Sequence, residues 1–196
     1  YLKILNKLTV KNNFYPGSPY IISSISNKLD KLFFCELHNN EHRSLKLNLK
    51  KFKNTKIINT DGFDYINKFS KIDKKQFILI DPSYEMKNDF KKIYTLIDNI
   101  NINFLKSKIV VWYPILNFAE NDEFIDALRK KGVSNLLNIE LPIFSDDNEK
   151  GMKGSGLLII NFKNKLLFKN LKLLIKDLSN CLKENDKVYK PKIRYL

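Results

Sequence analysis

Cysteine, arginine, alanine and long apolar runs are what this 196-residue sequence has least of. Two cysteines, Cys35 and Cys181, are too few and too isolated for a disulfide framework or a zinc site, which points to a reducing, cytoplasmic compartment. No apolar run exceeds strand length, so no membrane-spanning segment is expected, and no signal peptide opens the chain. His38 and His42, spaced i, i+4, fit one face of a helix but lack a third ligand, so no metal is expected. Only three of the 35 basic residues are arginine and only Ala119 and Ala127 are alanine, against 24 Asn and 23 Ile. That is the residue usage of A/T-rich coding. It discounts the net charge of +14 as evidence of a nucleic-acid partner.

What is present suits a core: 43% of residues are hydrophobic and 12% aromatic. Short apolar runs alternate with helical patterns. Leu32–Cys35, Lys56–Asn59, Phe77–Ile80 and Ile109–Trp112 read as strands buried on both faces. Asn40–Lys51, Asp89–Ile102 and Asn117–Lys131 read as the helices between them, the last stopping at Gly132. Leu136–Ile143 and Leu157–Phe162 follow without an intervening helix, as an antiparallel pair at the sheet edge. A basic helix over about Leu166–Glu184 comes next. Leu167, Leu171, Leu174, Leu178 and Cys181 are expected to face inward, with Lys165, Lys169, Lys172 and Lys176 facing out. Residues 185–196 read as a basic tail. The last 36 residues hold +7 of the net charge, so this end is a candidate for holding phosphates, or a merely solvated face. A mostly parallel α/β sheet ending in an antiparallel pair is the pattern of the class I methyltransferase fold, a Rossmann-like arrangement, in a single domain over 1–196.

Ligands of such sheets bind beyond the carboxyl ends of the strands. There the chain places Glu36, then Asp61-Gly62, then Asp81-Pro82-Ser83-Tyr84. A carboxylate after the second strand of such a fold commonly accepts hydrogen bonds from a ribose diol, whereas an Asp at a helix start is equally well a cap. Asp81-Pro82-Ser83-Tyr84 suits methylation of an exocyclic amine. A carboxylate and a backbone carbonyl accept the two N–H bonds of an adenine amine and expose its lone pair, and an aromatic ring stacks the base. A turn after a strand explains the tetrapeptide as well. Gly151, Gly154 and Gly156 precede a strand instead of opening a helix, so they read as edge-loop glycines and not a dinucleotide loop. Ser18, before Pro19, reads as a helix N-cap whose backbone N–H groups suit a carboxylate or a ribose.

Several stretches converge on one family. Phe14-Tyr15-Pro16-Gly17-Ser18-Pro19, Glu36-Leu37-His38, Asp61-Gly62-Phe63, Ile78–Lys87 with its Asp81-Pro82-Ser83-Tyr84, Trp112-Tyr113-Pro114, Ile139-Glu140-Leu141 and Gly151–Gly156 occur in the family's order and spacing. The chain resembles the bacterial 23S rRNA adenine-N6 methyltransferases of the large-subunit methyltransferase J type. The resemblance implies S-adenosylmethionine as cofactor, bound by Ser18, Glu36, Asp61, Gly62 and Asp81. It implies Asp81 as the catalytic residue, Pro82, Ser83 and Tyr84 on the substrate side with Tyr84 stacking the target adenine, 23S rRNA as partner, and a monomer without metal. Two departures stand out. Ser83 replaces the family's second proline, which implies a slower enzyme. The family's first strand and glycine-rich cofactor loop are absent, and residues 1–13 look like the end of its inserted helical subdomain, so a fragment is expected. DNA adenine methylation, or a truncated remnant that binds RNA without catalysis, are the alternatives.

Overall fold

The computed structural model describes residues 6, 15–68, 75–84, 89–103, 106–133, 135–145 and 151–195. The chain forms two compact units, 1–68 and 69–196.

The first unit is a strand–helix–strand crossover flanked by two helices. Helix α1 spans Ser18–Ile25, β1 Leu32–Glu36, α2 Asn39–Asn48, β2 Thr55–Asn59 and α3 Gly62–Asn67. Strands β1 and β2 pair in parallel, from Leu32 opposite Thr55 to Glu36 opposite Asn59, with α2 as the crossover that parallel pairing requires. Leu49, at the end of α2, is buried. The first helix begins one residue earlier than the sequence suggests. Gly17 is its N-cap and Ser18 its first residue, so Ser18 is not the cap. The correction is a matter of one position, within the usual fraying of helix ends.

The second unit carries β3 (Phe77–Ile80), α4 (Asp89–Asn103), β4 (Lys108–Ile115), α5 (Phe118–Lys130), β5 (Leu137–Pro142), β6 (Gly154–Ile160), α6 (Lys165–Leu182) and β7 (Lys192–Tyr195). Its sheet has the order β3-β4-β6-β5-β7. Pairing is parallel between β3 and β4 and antiparallel at β4–β6, β5–β6 and β5–β7. The sheet is therefore mixed, not mostly parallel, and the antiparallel pair β5–β6 lies inside it, with β7 on the edge. Residues 185–196 are correspondingly no simple tail. Val188 is buried, Tyr189 meets Phe118 edge-on at 4.5 Å, and Lys192–Tyr195 hydrogen-bonds along β5. Alternating charged and apolar residues (Lys192, Ile193, Arg194, Tyr195) suit an edge strand that is half exposed.

Burial follows the expected periodicities where elements have neighbours on both sides. Ile109, Val111, Tyr113 and Ile115 of β4 are fully buried, as are Ile93, Leu96 and Ile97 of α4 and Ile125 and Leu128 of α5. Asn117 caps α5 by accepting from the N–H groups of Ala119 and Glu120, and Gly132 follows with φ +73°. The expectation that all four early strands are covered on both faces is corrected. Phe77 is 67% and Phe33 51% exposed, because β3 and β1 each have one ladder neighbour among the described residues. The inward stripe of α6 is also corrected. Phe168, Leu171, Ile175 and Ser179 face the sheet, whereas Leu167, Leu174, Leu178 and Cys181 are exposed. The helix has apolar residues over a wide arc. Phe168 and Ile175 win because they fit the cluster of Leu137, Ile139 and Phe162, with Phe168 6.2 Å from the Tyr195 ring. Lys169, Lys172 and Lys176 face outward as expected.

Candidate active site

In the first unit the carboxyl ends of β1 and β2 carry the two expected acids. Glu36 closes β1, and its Oε1 accepts from the His38 N–H at 2.8 Å. Asn59 Nδ2 donates to the carbonyls of Glu36 and Leu37, tying the end of β2 to the turn after β1. Asp61 caps α3: its Oδ1 accepts from Phe63 N at 2.7 Å. Of the two roles the sequence left open for Asp61, the structure shows the cap. Burial, and then the charge of Asp61, push the Cys35 thiol above its ordinary range, so Cys35 stays a thiol. Gly62 lies over Cys35, with room for no more than ordinary contact: an added Cβ would sit 3.7 Å from Cys35 Cβ. His38 is the N-cap residue of α2 and His42 lies within it. Among the described residues no group of three metal-ligating side chains forms.

In the second unit Asp81 emerges at the end of β3, followed by the Pro82-Ser83-Tyr84 turn. Asp81 makes no hydrogen bond to another described side chain or backbone group. Although Asp81 is exposed, partial desolvation pushes its carboxyl above the usual range. Tyr84 takes φ 55°, an unusual left-handed conformation for a bulky residue. Two contacts hold it there. Its hydroxyl donates to the backbone carbonyl of Trp112 on β4, and its ring lies 5.7 Å from Trp112 and 5.2 Å from Phe90 on α4. Burial, with the charges of Asp81 and Asp89, raises its phenol far above the ordinary value, so it is a neutral donor at every working pH. Asp89 itself is buried at the start of α4, 3.9 Å from Lys92.

A cluster that sequence reading did not anticipate lies behind this turn. Phe90 contacts Tyr113 and Phe124 edge-on at 6.4 and 5.4 Å. The Tyr113 hydroxyl donates to Asn138 Oδ1 at 2.6 Å and lies 3.1 Å from Glu140 Oε1. Glu140, 2% exposed in mid-strand, accepts from Arg194 on β7 at 2.8 Å. Arg194 also reaches Asp122 on α5 at 2.7 Å, and Lys192 joins Asp122 at 2.8 Å. Burial alone would raise the Asp122 carboxyl, but the hydrogen bonds from Lys192 and Arg194 outweigh that and hold it below its usual range. The available signal was Glu140 in the apolar run Leu136–Ile143: a carboxylate there demands a buried cation, and arginine is scarce. Gly154 and Gly156 are strand residues of β6, not loop residues. At Gly156 the Tyr113 ring lies so close that an added Cβ would stand 2.1 Å from Tyr113 Cζ. Gly156 thus makes room for a ring, and Gly154 for the β5 backbone at Leu141 and Pro142.

In the first unit the Glu36 and Asp61 carboxylates at the strand ends are acceptors of the kind a ribose diol requires; in the second, Asp81 stands beside the Pro82 carbonyl, two acceptors of the kind an exocyclic amine requires. The family described as "Ribosomal RNA large subunit methyltransferase D, RlmJ" matches residues 1–187. Ribosomal RNA large subunit methyltransferase J of Escherichia coli is 31% identical over 149 residues, 76% of this chain and 53% of that protein. The protein of the same name from Haemophilus influenzae is 27% identical over 82% of this chain and 59% of its own length. The chain thus spans somewhat over half the length of these relatives. A Legionella pneumophila protein of known crystal structure shares 30% identity at a TM-score of 0.84, over 100% of this chain and 72% of its own. A human methyltransferase 10 domain containing protein, 10% identical, has the same fold at a TM-score of 0.51 over 83% of this chain and 81% of its own. The α/β fold resembles that of class I S-adenosylmethionine-dependent methyltransferases, and the chain belongs to the RlmJ family of ribosomal RNA large-subunit methyltransferases.

Proposed function

We propose that this chain is the greater part of one class I methyltransferase domain that methylates the N6 amine of an adenine in 23S rRNA, with S-adenosylmethionine as donor. The observation that carries the reading is the Asp81-Pro82 turn at the end of β3. There a carboxylate without a hydrogen-bond partner among the described residues stands next to the Pro82 backbone carbonyl, two acceptors side by side. Ser18, Glu36, Asp61 and Gly62 hold the cofactor in this reading, and Asp81 borders it. The cofactor supplies a methyl group already activated as a sulfonium.

The chain's own residues then position the amine. The Asp81 carboxylate accepts one N–H and the Pro82 carbonyl the other. This draws the nitrogen out of conjugation with the ring and aims its lone pair, and orientation of this kind supplies much of the rate. Asp81 must be ionised to accept, so its raised pKa places the acid limb of activity above that of an ordinary aspartate. Tyr84 offers its ring to the base while its hydroxyl stays tied to Trp112. Ser83 leaves the turn freer than a second proline would, which slows the reaction without abolishing it. The enzyme acts in the cytoplasm, as a monomer and without a metal. Among the described residues no helix is long and apolar enough to cross a membrane.

The test is labelling from methyl-labelled S-adenosylmethionine, using the protein that carries this sequence at its natural length. Unmodified 23S rRNA should yield N6-methyladenosine and duplex DNA should stay unlabelled. Equal labelling of DNA would move the substrate to DNA adenine. No labelling of either, with the cofactor unbound, would leave a non-catalytic remnant.

A further inference from the structure

The first unit segregates its charges along the strand direction. At the carboxyl ends of β1 and β2 lie Glu36, Asp61 and, on α3, Asp64; Glu41 lies in the first turn of α2, which starts from that same end. At the amino ends the reverse holds. Lys28, Lys31, Lys53 and Lys56 line an open hollow of about 460 Å³. Lys46 and Lys50 line an adjoining one of about 450 Å³ that shares Lys53 and Lys56. All six are exposed, and none forms an ion pair with a described residue. Asp30 is the one acid in this lining, and its Oδ2 is engaged by Asn27 N at 2.9 Å. A nucleotide-composition bias adds lysine everywhere, but it does not sort lysine to one end of a sheet and acid to the other.

The lysines also stand on a fixed base. Asn54 Nδ2 donates to the carbonyls of Asn27 and Asp30, at 3.3 and 3.0 Å. Leu32 N returns a bond to the Asn54 carbonyl at 2.9 Å. The turn carrying Lys28 and Lys31 is thereby bound to the turn carrying Lys53 and Lys56. Six exposed ammonium groups gathered at one end of the sheet make a positive field that suits an extended polyanion, and an open hollow lets a backbone pass where an enclosed pocket would take a single small anion.

We propose that this amino-terminal end of the β1–β2 sheet is a docking surface for the phosphate backbone of the RNA substrate. It lies about 15 Å, a five-residue strand, from the end where Glu36 and Asp61 stand. The proposal rests on the reading that the chain acts on rRNA. It adds that the RNA is gripped at a place remote from the acids, which have the wrong sign to hold phosphate. Contacts of this kind fix register and leave base selection to other residues.

The test is the salt dependence of binding to a 23S rRNA fragment by the protein with Lys28, Lys31, Lys53 and Lys56 changed to Gln together. The slope of log affinity against log salt should fall by about three, since each lost phosphate contact removes about 0.7–0.9. The thermal melt and S-adenosylmethionine titration should stay as in the unaltered protein. The fourfold Lys→Arg variant should keep the slope. An unaltered slope in the Gln variant would overturn the proposal, as would displacement of the RNA by poly-glutamate at equal charge concentration, which would mark the surface as one for acidic protein. Absence of salt-dependent RNA binding in the unaltered protein would instead remove the rRNA reading itself.

Discussion

At Asp81 the same partial desolvation that raises the carboxyl's pKa also costs folding free energy. The sign is definite. A raised aspartate pKa means that the folded state binds the proton more tightly than the unfolded one. The penalty is absent below the unfolded value and is imposed as pH rises through the folded value. Asp81→Asn should therefore abolish methyl transfer while leaving the melting temperature at pH 7 equal or higher, as differential scanning calorimetry would read. A lower melting temperature would mean that the carboxylate is a structural anchor instead. Tyr84→Phe should keep a ring for stacking but free the Trp112 carbonyl, with a loss of roughly 1 kcal/mol and a raised KM for RNA. Gly156→Ala drives a methyl into the Tyr113 ring and should destabilise by about 1–3 kcal/mol or more in urea titration. Of these residues, Asp81 and Tyr84 were legible in the sequence because the motif and the strand before it gave them a place. The tie from Tyr84 to Trp112 was not, because a backbone carbonyl carries no residue-specific signal.

At the scale of elements, β7 is held by charge as much as by its ladder. Arg194 and Lys192 grip Asp122 across from α5, and Arg194 also neutralises buried Glu140. Arg194→Met would leave Glu140 charged inside the sheet without its cation, with only the neutral donors Tyr113 and Asn138 beside it, a loss of about 3–5 kcal/mol. The depressed pKa of Asp122 contributes stability that is present above the unfolded value, near pH 4, and disappears as pH falls through the folded value. Hydrogen exchange of residues 192–195 should accelerate in that acid range before exchange in β4 does. Simultaneous exchange of both strands would show that β7 does not open separately. Strand and helix positions from β1 to α6 were readable from periodicity to within a few residues, except α3, whose six residues are too short to carry a helical stripe. The last strand was not, since four residues with two charges read as tail until a partner strand is supplied. The inward face of α6 was misread for a related reason. The helix offers two apolar arcs, and only the shape of Leu137, Ile139 and Phe162 selects Phe168 and Ile175. Ile175→Ala should accordingly cost about 2–4 kcal/mol, whereas Leu174→Ala should cost under about 0.5 kcal/mol.

For the whole molecule, the net charge of +14 divides into parts with different uses. Lys192 and Arg194 are structural, Lys131 covers the Tyr94 ring at 3.5 Å, and the lysines at the amino ends of β1 and β2 remain for an anion. Exposed Lys169, Lys172 and Lys176 on α6 form a second basic face, and their replacement by Gln gives an independent comparison for RNA binding. Composition alone could not sort these roles; partners and position do. The family was legible from motif order, because the stretches from Tyr15-Pro16-Gly17-Ser18 to Gly151–Gly156 keep the family's order and spacing. The central proposal is that Asp81 carries methyl transfer to an adenine amine. It is tested most directly by methyl incorporation into 23S rRNA by the natural-length protein and its Asp81→Ala variant, at equal S-adenosylmethionine saturation. The expected result is N6-methyladenosine from the unaltered protein and at least a hundredfold loss in the variant, by the usual scale for removing one positioned catalytic group. Incorporation by Asp81→Ala at the unaltered rate would contradict the account.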